Sequence, residues 1–148
     1  MLTDKTLLFF ENAAGLEAEG IVELNGPANG KFFIAVAADP ADDTVKVSTL
    51  TISLTTADEL AEGGELSDPE TLGTLNAPVA EIKKGLVSFC IPTSVKRFVK
   101  MEAVATGTVA KVVEDSRTGR KTGGLTAGYV PMVEQDGYIA PDMLELIK

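Results

Sequence analysis

The sequence contains no histidine and no tryptophan, a single cysteine, and few aromatic residues, which make up 5% of the chain. Without histidine, the Ser–His–Asp and Cys–His arrangements that activate nucleophiles at neutral pH are excluded, as are most transition-metal sites. The single cysteine, Cys90, cannot form an intrachain disulfide, which argues against a secreted disulfide scaffold. We interpret Cys90 as a small buried core residue. These absences predict that the protein is not an enzyme of the ordinary hydrolase type.

Positive charge is scarce as well. The chain has 13 Lys and Arg against 22 Asp and Glu, a formal net charge of −9. Such a protein stays soluble and repels nucleic acid, so we expect no direct nucleic-acid partner. No stretch approaches the ~20 apolar residues of a membrane helix, so we expect no membrane partner. The start, Met1–Lys5, lacks the pattern of a secretory signal, and we expect folding in a reducing compartment.

The chain does contain enough apolar sequence for one folded domain, since 45% of its 148 residues are hydrophobic. These residues form short runs rich in Val, Phe and Thr, separated by Gly, Pro, Asn and Asp, which is typical of strands and turns. The predicted strands are Gly20–Leu24, Lys31–Ala38, Thr44–Thr56, Thr71–Leu75, Val79–Ile82, Leu86–Ile91, Phe98–Thr106, Thr108–Val113 and Leu125–Val133. The short apolar run Thr6–Phe10 is either a further strand or a docking arm. Few helices and no regular alternation of strands with helices are visible, so the pattern favours an all-β sandwich or barrel.

Two of the predicted strands alternate clearly between an apolar and a polar face. In Phe98–Thr106, one face carries only apolar residues, among them Val99 and Met101. In Thr44–Thr56, the alternation slips by one residue near Ser48, which predicts a β-bulge. Both strands are therefore expected to turn one face towards a core.

No segment has the spacing of a metal or phosphate site. Asp39–Asp43 is acidic but lacks the glycine and the ligand spacing of a calcium loop. Gly123 and Gly124 follow a basic segment and precede a strand, unlike the glycines of a P-loop. The acidic segment Ala57–Asp68 is predicted to be a long loop with at most one helical turn, either simply solvated or a contact loop. We predict no metal site and no cofactor.

Two segments are candidates for contacts with a partner. Asp115–Lys121 places three cations, Arg117, Arg120 and Lys121, in a hairpin-like loop of an otherwise acidic protein. This loop is either a cationic patch for an acidic partner or a solvated hairpin tip.

The second candidate is the C-terminal extension, residues 134–148, which we separate from the β domain at residues 1–133. Asp136 and Gly137 predict a turn, and Pro141 opens a segment of about two helical turns. This short helix would carry Met143, Leu144 and Ile147 on one side. Because so short a helix is marginal alone, we expect it to dock on its own subunit or on a neighbour.

Four segments resemble the jelly-roll capsid cement, or decoration, proteins of tailed bacteriophages (the Bordetella phage cement protein-like family). They read MLTDKTLLFFENAA, VSTLTISLTTADEL, IPTSVKRFVKMEAVATGT and LTAGYV. The similarity includes an acidic turn at Thr56–Asp58, the strand motif Arg97–Lys100 and the late Thr126–Gly128 motif. Each motif is weak alone, and their order and spacing from Met1 to about Val133 carry the resemblance. The charged segment Val109–Gly124 and the tail after Val133 depart from the family pattern.

The resemblance implies a jelly-roll-like antiparallel β-sandwich, to which the sequence adds a short helical C-terminal tail. It implies a homo-oligomer, dimer or trimer, that binds the exterior of the virion capsid and bridges neighbouring major capsid protein subunits after synthesis in the host cytoplasm. The alternative is a β-sandwich module of a phage tail or baseplate that binds a ligand or carbohydrate, although the lack of tryptophan counts against it. A carboxylate-based glycosidase is disfavoured because the acids cluster in loops.

Overall fold

The computed structural model describes residues 8–24, 31–89 and 95–130. Within them, eight strands form two four-stranded antiparallel sheets. Sheet A contains, in spatial order, β1 (Leu8–Ala13), β12 (Leu125–Val130), β3 (Lys31–Val36) and β8 (Leu86–Phe89). Sheet B contains β2 (Glu17–Glu23), β9 (Phe98–Gly107), β4 (Val47–Ala57) and β7 (Glu70–Asn76). In each sheet a late strand lies between two early ones, as in the two Greek keys of a jelly roll, which confirms the predicted fold class.

Three small elements lie in the connections between these strands. A hairpin follows β4 and consists of β5 (Glu59–Leu60) and β6 (Leu66–Ser67). A helix, α1 (Val79–Lys84), precedes β8, and a second hairpin, β10 (Val113–Glu114) and β11 (Lys121–Thr122), precedes β12. None of the helices in the described part of the chain is long and apolar enough to cross a membrane.

The core lies between the two sheets. Phe32 is fully buried and packs its ring against Phe9, Phe89 and Tyr129, with centroid distances of 5.6, 5.9 and 4.9 Å. Such tilted aromatic pairs contribute about 0.5–1.5 kcal/mol each beyond the burial of their area. From sheet B, the core receives the residues that the alternation predicted: Leu50, Ile52, Leu54, Val99, Met101, Ala103 and Ala105. The predicted bulge is also present, as a register shift between Val47 and Thr49.

Some local predictions were wrong. Val79–Ile82, predicted as a strand, lies in α1, because Pro78 stands at its N-cap and Gly85 ends it at φ 80°. So short an apolar run fits either structure, and the flanking residues decide. Thr108–Val113 is not a strand, since only its last residue belongs to β10. The predicted loop Ala57–Asp68 contains the β5–β6 hairpin.

Other predictions lie outside the described residues. These are the C-terminal helix, the residues 131–133 of the last predicted strand, and the core position of Cys90.

Candidate functional site

The β10–β11 hairpin holds the three cations predicted to contact a partner. Val113 pairs with Thr122 and Glu114 with Lys121, and the turn between them is closed by backbone hydrogen bonds. The N–H of Asp115 donates to the carbonyl of Arg120 at 2.8 Å. The carboxylate of Asp115 accepts the N–H of Arg117 at 2.8 Å, an Asx-type turn that fixes the backbone locally. The tip is therefore a folded turn whose side chains point into solvent.

The base of this hairpin is fastened to sheet A. The side-chain amide of Asn12 donates to the carbonyl of Gly123 at 2.8 Å, and the N–H of Gly124 donates to the carbonyl of Ala110 at 2.9 Å. The first bond connects the β11 side of the hairpin to β1, and the second joins that side to the segment between β9 and β10. The tip is thus presented at a fixed place on the sandwich.

The cations of the hairpin carry no ion pair within the described part of the chain. Arg117, Arg120 and Lys121 are exposed. Five other cations of the described residues do form ion pairs: Lys46, Lys84, Lys96, Arg97 and Lys100. Between residues 111 and 121, four cations stand against two acids, a local charge of +2 in a protein of net charge −9. The structure therefore brings all three predicted contact cations together on one exposed tip.

An acidic hairpin lies at the opposite end of the sandwich. The β10–β11 hairpin adjoins the end at which Gly107 pairs with Val47, whereas β5–β6 follows the end at which Ala57 pairs with Phe98. Residues 58–70 contain no cation and these acids: Asp58, Glu59, Glu62, Glu65, Asp68 and Glu70. The cationic and acidic hairpins therefore lie at opposite ends of the strands, which no single stretch of sequence reveals.

Two lysines of the β9 region hold the acidic hairpin against sheet B. The ammonium nitrogen of Lys96 lies 2.7 Å from a Glu70 carboxylate oxygen and 3.8 Å from one of Asp58. The hydrogen bond that Lys96 donates to Glu70 raises the pKa of Lys96 above its usual value. Lys100 lies 3.8 Å from Glu65 of the loop between β5 and β6. Both lysines thus connect the loop to the sheet.

Lys100 stands among three carboxylates on the outer face of sheet B. Its ammonium nitrogen lies 3.6 Å from Glu19, 3.7 Å from Glu102 and 3.8 Å from Glu65, and its side chain is 17% exposed. Burial by itself lowers the pKa of Lys100, but the three carboxylates outweigh it and raise the pKa above its usual value. The alternation of apolar and polar residues along β9 predicted that Lys100 points away from the core. Only the tertiary structure brings the three carboxylates close to it.

The acidic loop before β4 uses its carboxylates for internal contacts. Asp42 lies 2.8 Å and Asp39 lies 3.7 Å from the ammonium nitrogen of Lys46, and Asp42 also accepts the hydroxyl of Thr44 at 2.8 Å. The hydrogen bond from Lys46 is the main cause that lowers the pKa of Asp42. Across the described ranges, no group of three or more His, Cys, Asp or Glu side chains is placed to hold a metal ion.

A cleft of about 690 Å³ opens beside α1 and sheet A. It is lined by small residues such as Ala37 and Gly123, with Asp43 and the two lysines Lys83 and Lys84 among its polar residues. The described residues that line it include no aromatic side chain on which a sugar ring would stack. No sequence pattern indicated this cleft, because its walls come from distant segments of the chain.

The other three predicted contact residues, Met143, Leu144 and Ile147, lie outside the described residues, so the structure does not place them beside the cationic hairpin. Comparison of the sequence with protein-family models and with curated proteins gave no match.

Proposed function

We propose that this chain is a bacteriophage capsid cement protein, which binds the outer surface of the assembled shell and bridges neighbouring major capsid protein subunits. The observation that carries the proposal is the exposed hairpin with Arg117, Arg120 and Lys121, fastened to a jelly roll of opposite net charge. The similarity to the cement family described above supports the same role.

The physical requirements of such a role agree with these features. A cement protein has to span a seam between subunits, which requires a rigid body and contact residues at fixed positions. Cations without an internal partner are available to an acidic surface, and charge complementarity gives specificity and a fast association rate. Many modest contacts repeated by shell symmetry produce high avidity. A protein that binds only the assembled shell stabilises that state by linkage.

The partners follow from the proposal. The major capsid protein supplies an acidic surface to the cationic hairpin, and copies of this chain associate as a dimer or trimer on the virion exterior. The proposed role requires no nucleic acid, no membrane and no cofactor. Light scattering of the free protein gives the mass that distinguishes dimer from trimer.

The test is co-sedimentation of the purified protein with shells of its own phage that lack decoration. We expect saturable binding at a fixed ratio to the major capsid protein and a raised melting temperature of the shell. The double variant Arg117→Gln with Arg120→Gln should bind the shell at least about tenfold more weakly, because two of the positive charges that face the acidic capsid surface are lost. Lys83→Gln with Lys84→Gln is the matched control, with the same change in net charge at the same end of the sandwich. A protein that does not co-sediment with the shells would overturn the proposal.

The cleft beside α1 favours a second candidate, a ligand-binding accessory module of a phage tail or baseplate. Its lysines Lys83 and Lys84 would favour a small anionic ligand over a neutral sugar. Chemical shift changes at cleft residues on titration with small carboxylates and glycans would support this candidate, especially in a protein that does not bind shells.

A further inference from the structure

The edge strands of the two sheets differ in how far they are protected against pairing with another chain. Sheet A ends in β1 and β8, and sheet B ends in β2 and β7. β2 carries three glutamates, Glu17, Glu19 and Glu23. β1 lies close against β2, since the carbonyl of Phe9 leaves no room for a side chain at Gly20. β8 has only four residues. Charges, a covering element and a short length are the features that keep sheet edges from pairing.

β7 has little of this protection. It is seven residues long, contains no lysine or proline, and has one charged residue, Glu70, at its first position. Its residues are exposed except Leu72 and Leu75, which are half-buried against the core. A bulge within Thr71–Gly73 leaves the run Thr74–Asn76 regular. β7 is therefore the least protected edge of the two described sheets.

The pairing of β7 with β4 shows which of its backbone groups are free. The N–H of Ala77 donates to the carbonyl of Leu50 at 2.9 Å. In an antiparallel ladder, alternate residues bond to the same neighbouring strand. Ala77 and Leu75 therefore bond towards β4. The N–H and C=O groups of Asn76 and Thr74 point away from sheet B and are available to a further strand.

We propose that β7 pairs antiparallel with β7 of a second copy of this chain, so that two copies of sheet B form one continuous eight-stranded sheet around a two-fold axis. A symmetric interface of this kind is closed, since each copy uses its least protected edge on the other. The inference deepens the proposed function, on which it rests only for the expectation that copies of this chain associate. It selects the dimer over the trimer and requires no shell.

The apolar residues near the ends of β7 favour a second copy as the partner. Antiparallel pairing about Thr74 brings position 79 of one copy near position 69 of the other, since both lie five residues from the axis. Val79 is 54% exposed at the start of α1. Position 69 directly follows the β5–β6 hairpin, on which Leu60 is 41% exposed. The dimer thus brings exposed apolar side chains of the two copies towards each other.

The charges at the ends of β7 are complementary in the same arrangement. Asp68 and Glu70 stand at the start of β7. Lys83 is exposed and follows Val79 by four residues, hence on the same side of α1. Antiparallel pairing turns this lysine of one copy towards the carboxylates of the other, whereas parallel pairing would place the two acidic starts side by side. Because exposed charges add little to affinity, they select the orientation of the pair rather than its strength.

Sedimentation equilibrium of the free protein tests the dimer in the absence of shells. We expect a mass of about twice 15.5 kDa at ~100 µM and dissociation at low micromolar concentration, since one strand pair buries less area than a standard interface. Thr74→Pro should give a monomer, because it removes an outward N–H and leaves the hydrogen bonds to β4 intact. A wild-type protein that stays monomeric or forms a trimer would overturn the proposal, as would a folded Thr74→Pro dimer.

A second variant keeps the test decisive if the proline disturbs the fold. Thr74→Lys places the same charge on both copies at the centre of the interface, which is how natural edge strands avoid pairing. It should weaken dimerisation at least about tenfold. The matched control is Thr108→Lys, which makes the same change of charge at an exposed threonine outside β7 and should dimerise like the wild type. Equal effects of the two lysines would contradict an interface at β7.

Amide hydrogen exchange locates the interface directly. The N–H of Asn76 should exchange at least about tenfold faster in the Thr74→Lys variant than in the wild-type dimer, because it points to solvent when β7 is unpaired. The N–H of Ala77, which is bonded to Leu50 within one chain, should exchange slowly in both. Fast exchange of Asn76 in a wild-type dimer would show that the copies associate through another surface. A protected Asn76 in a protein that does not co-sediment with shells would contradict the proposed function and still support this inference.

Discussion

The hydroxyl of Thr56 donates a hydrogen bond to the backbone carbonyl of Phe98 at 2.8 Å and accepts one from the backbone N–H of Lys96 at the same distance. Thr56 is the one buried polar or charged side chain among the described residues, and it is fully inaccessible to solvent. Its hydroxyl therefore connects the end of β4 to the bend that leads into β9. Because β9 is central to sheet B, this bond pair fixes where the strand enters the sheet.

Thr56→Val keeps the shape of the side chain but removes both hydrogen bonds, leaving the Lys96 N–H without its partner. We expect a loss of about 1–3 kcal/mol in the free energy of unfolding, measured by urea denaturation. Thr55→Val is the control, since Thr55 is on the outer face of the same strand, and it should change stability by less than about 0.5 kcal/mol. Equal effects of the two changes would refute the role of the buried hydroxyl.

At Gly20, β2 lies close against the backbone of β1. A Cβ atom built on Gly20 would overlap the backbone carbonyl of Phe9, and backbone cannot yield as a side chain tip does. Gly20→Ala should therefore destabilise the fold by about 3 kcal/mol or more, because the close packing of the two strands is forced apart. Circular dichroism melting measures the loss.

The matched control for Gly20 is Gly63→Ala. Gly63 has a φ of 95° but nothing within 4 Å of an added Cβ, so it tests backbone strain without a clash. It should cost about 1–2 kcal/mol. A Gly20 variant as stable as the Gly63 variant would contradict the close approach.

Lys100→Met should leave Glu19, Glu65 and Glu102 without their shared cation. We expect a loss of about 1–2 kcal/mol at low salt, larger than for a single exposed pair because three carboxylates share the lysine. The difference from the wild type should shrink at 1 M NaCl, where the carboxylates are screened from each other.

Backbone hydrogen exchange measures how far Lys100 stabilises the acidic hairpin locally. Residues 58–70 should exchange faster in the Lys100→Met variant, since Lys100 holds Glu65 to the sheet. Lys84→Met is the control, because among the described residues Lys84 forms one ion pair, with the half-exposed Glu81 at 3.6 Å. Unchanged exchange in residues 58–70 would show that the ion pairs do not hold this hairpin.

The pair Asp42 and Lys46 predicts pH dependence at both extremes. The pKa of Asp42 is lowered below 3.8, chiefly by the hydrogen bond from Lys46, so its contribution is present above pH 3.8 and is lost as the pH falls through the folded value. The pKa of Lys46 is raised above 10.5 by the same bond, so its contribution is present below pH 10.5 and is lost as the pH rises through the folded value.

Lys46→Met should therefore raise the pKa of Asp42 towards 3.8. NMR titration of the side-chain carboxyl carbon measures this directly. Lys84→Met should leave the Asp42 titration unchanged, since that lysine lies on α1. An Asp42 pKa that does not move in the Lys46 variant would show that the pair does not form in solution.

The alternation of residues along the strands was predictable because it is local. Val99, Met101, Ala103 and Ala105 lie in the core as predicted, and the slip near Ser48 is a bulge. Short segments without a clear period were less predictable. Val79–Ile82 fits a strand as well as a helix, and only its flanking Pro78 and Gly85 favour α1.

The sequence by itself determined the all-β class, the inward faces of the central strands and the presence of a cationic segment in an acidic protein, because periodicity and charge are properties of neighbouring residues. The tertiary structure alone decided which strands pair, that the cationic and acidic hairpins lie at opposite ends, and that Lys100 meets three carboxylates. It also showed that Phe33 is almost fully buried although it does not belong to the core cluster between the sheets. These relationships join residues far apart in the chain, and only the packing of the two sheets brings such residues together.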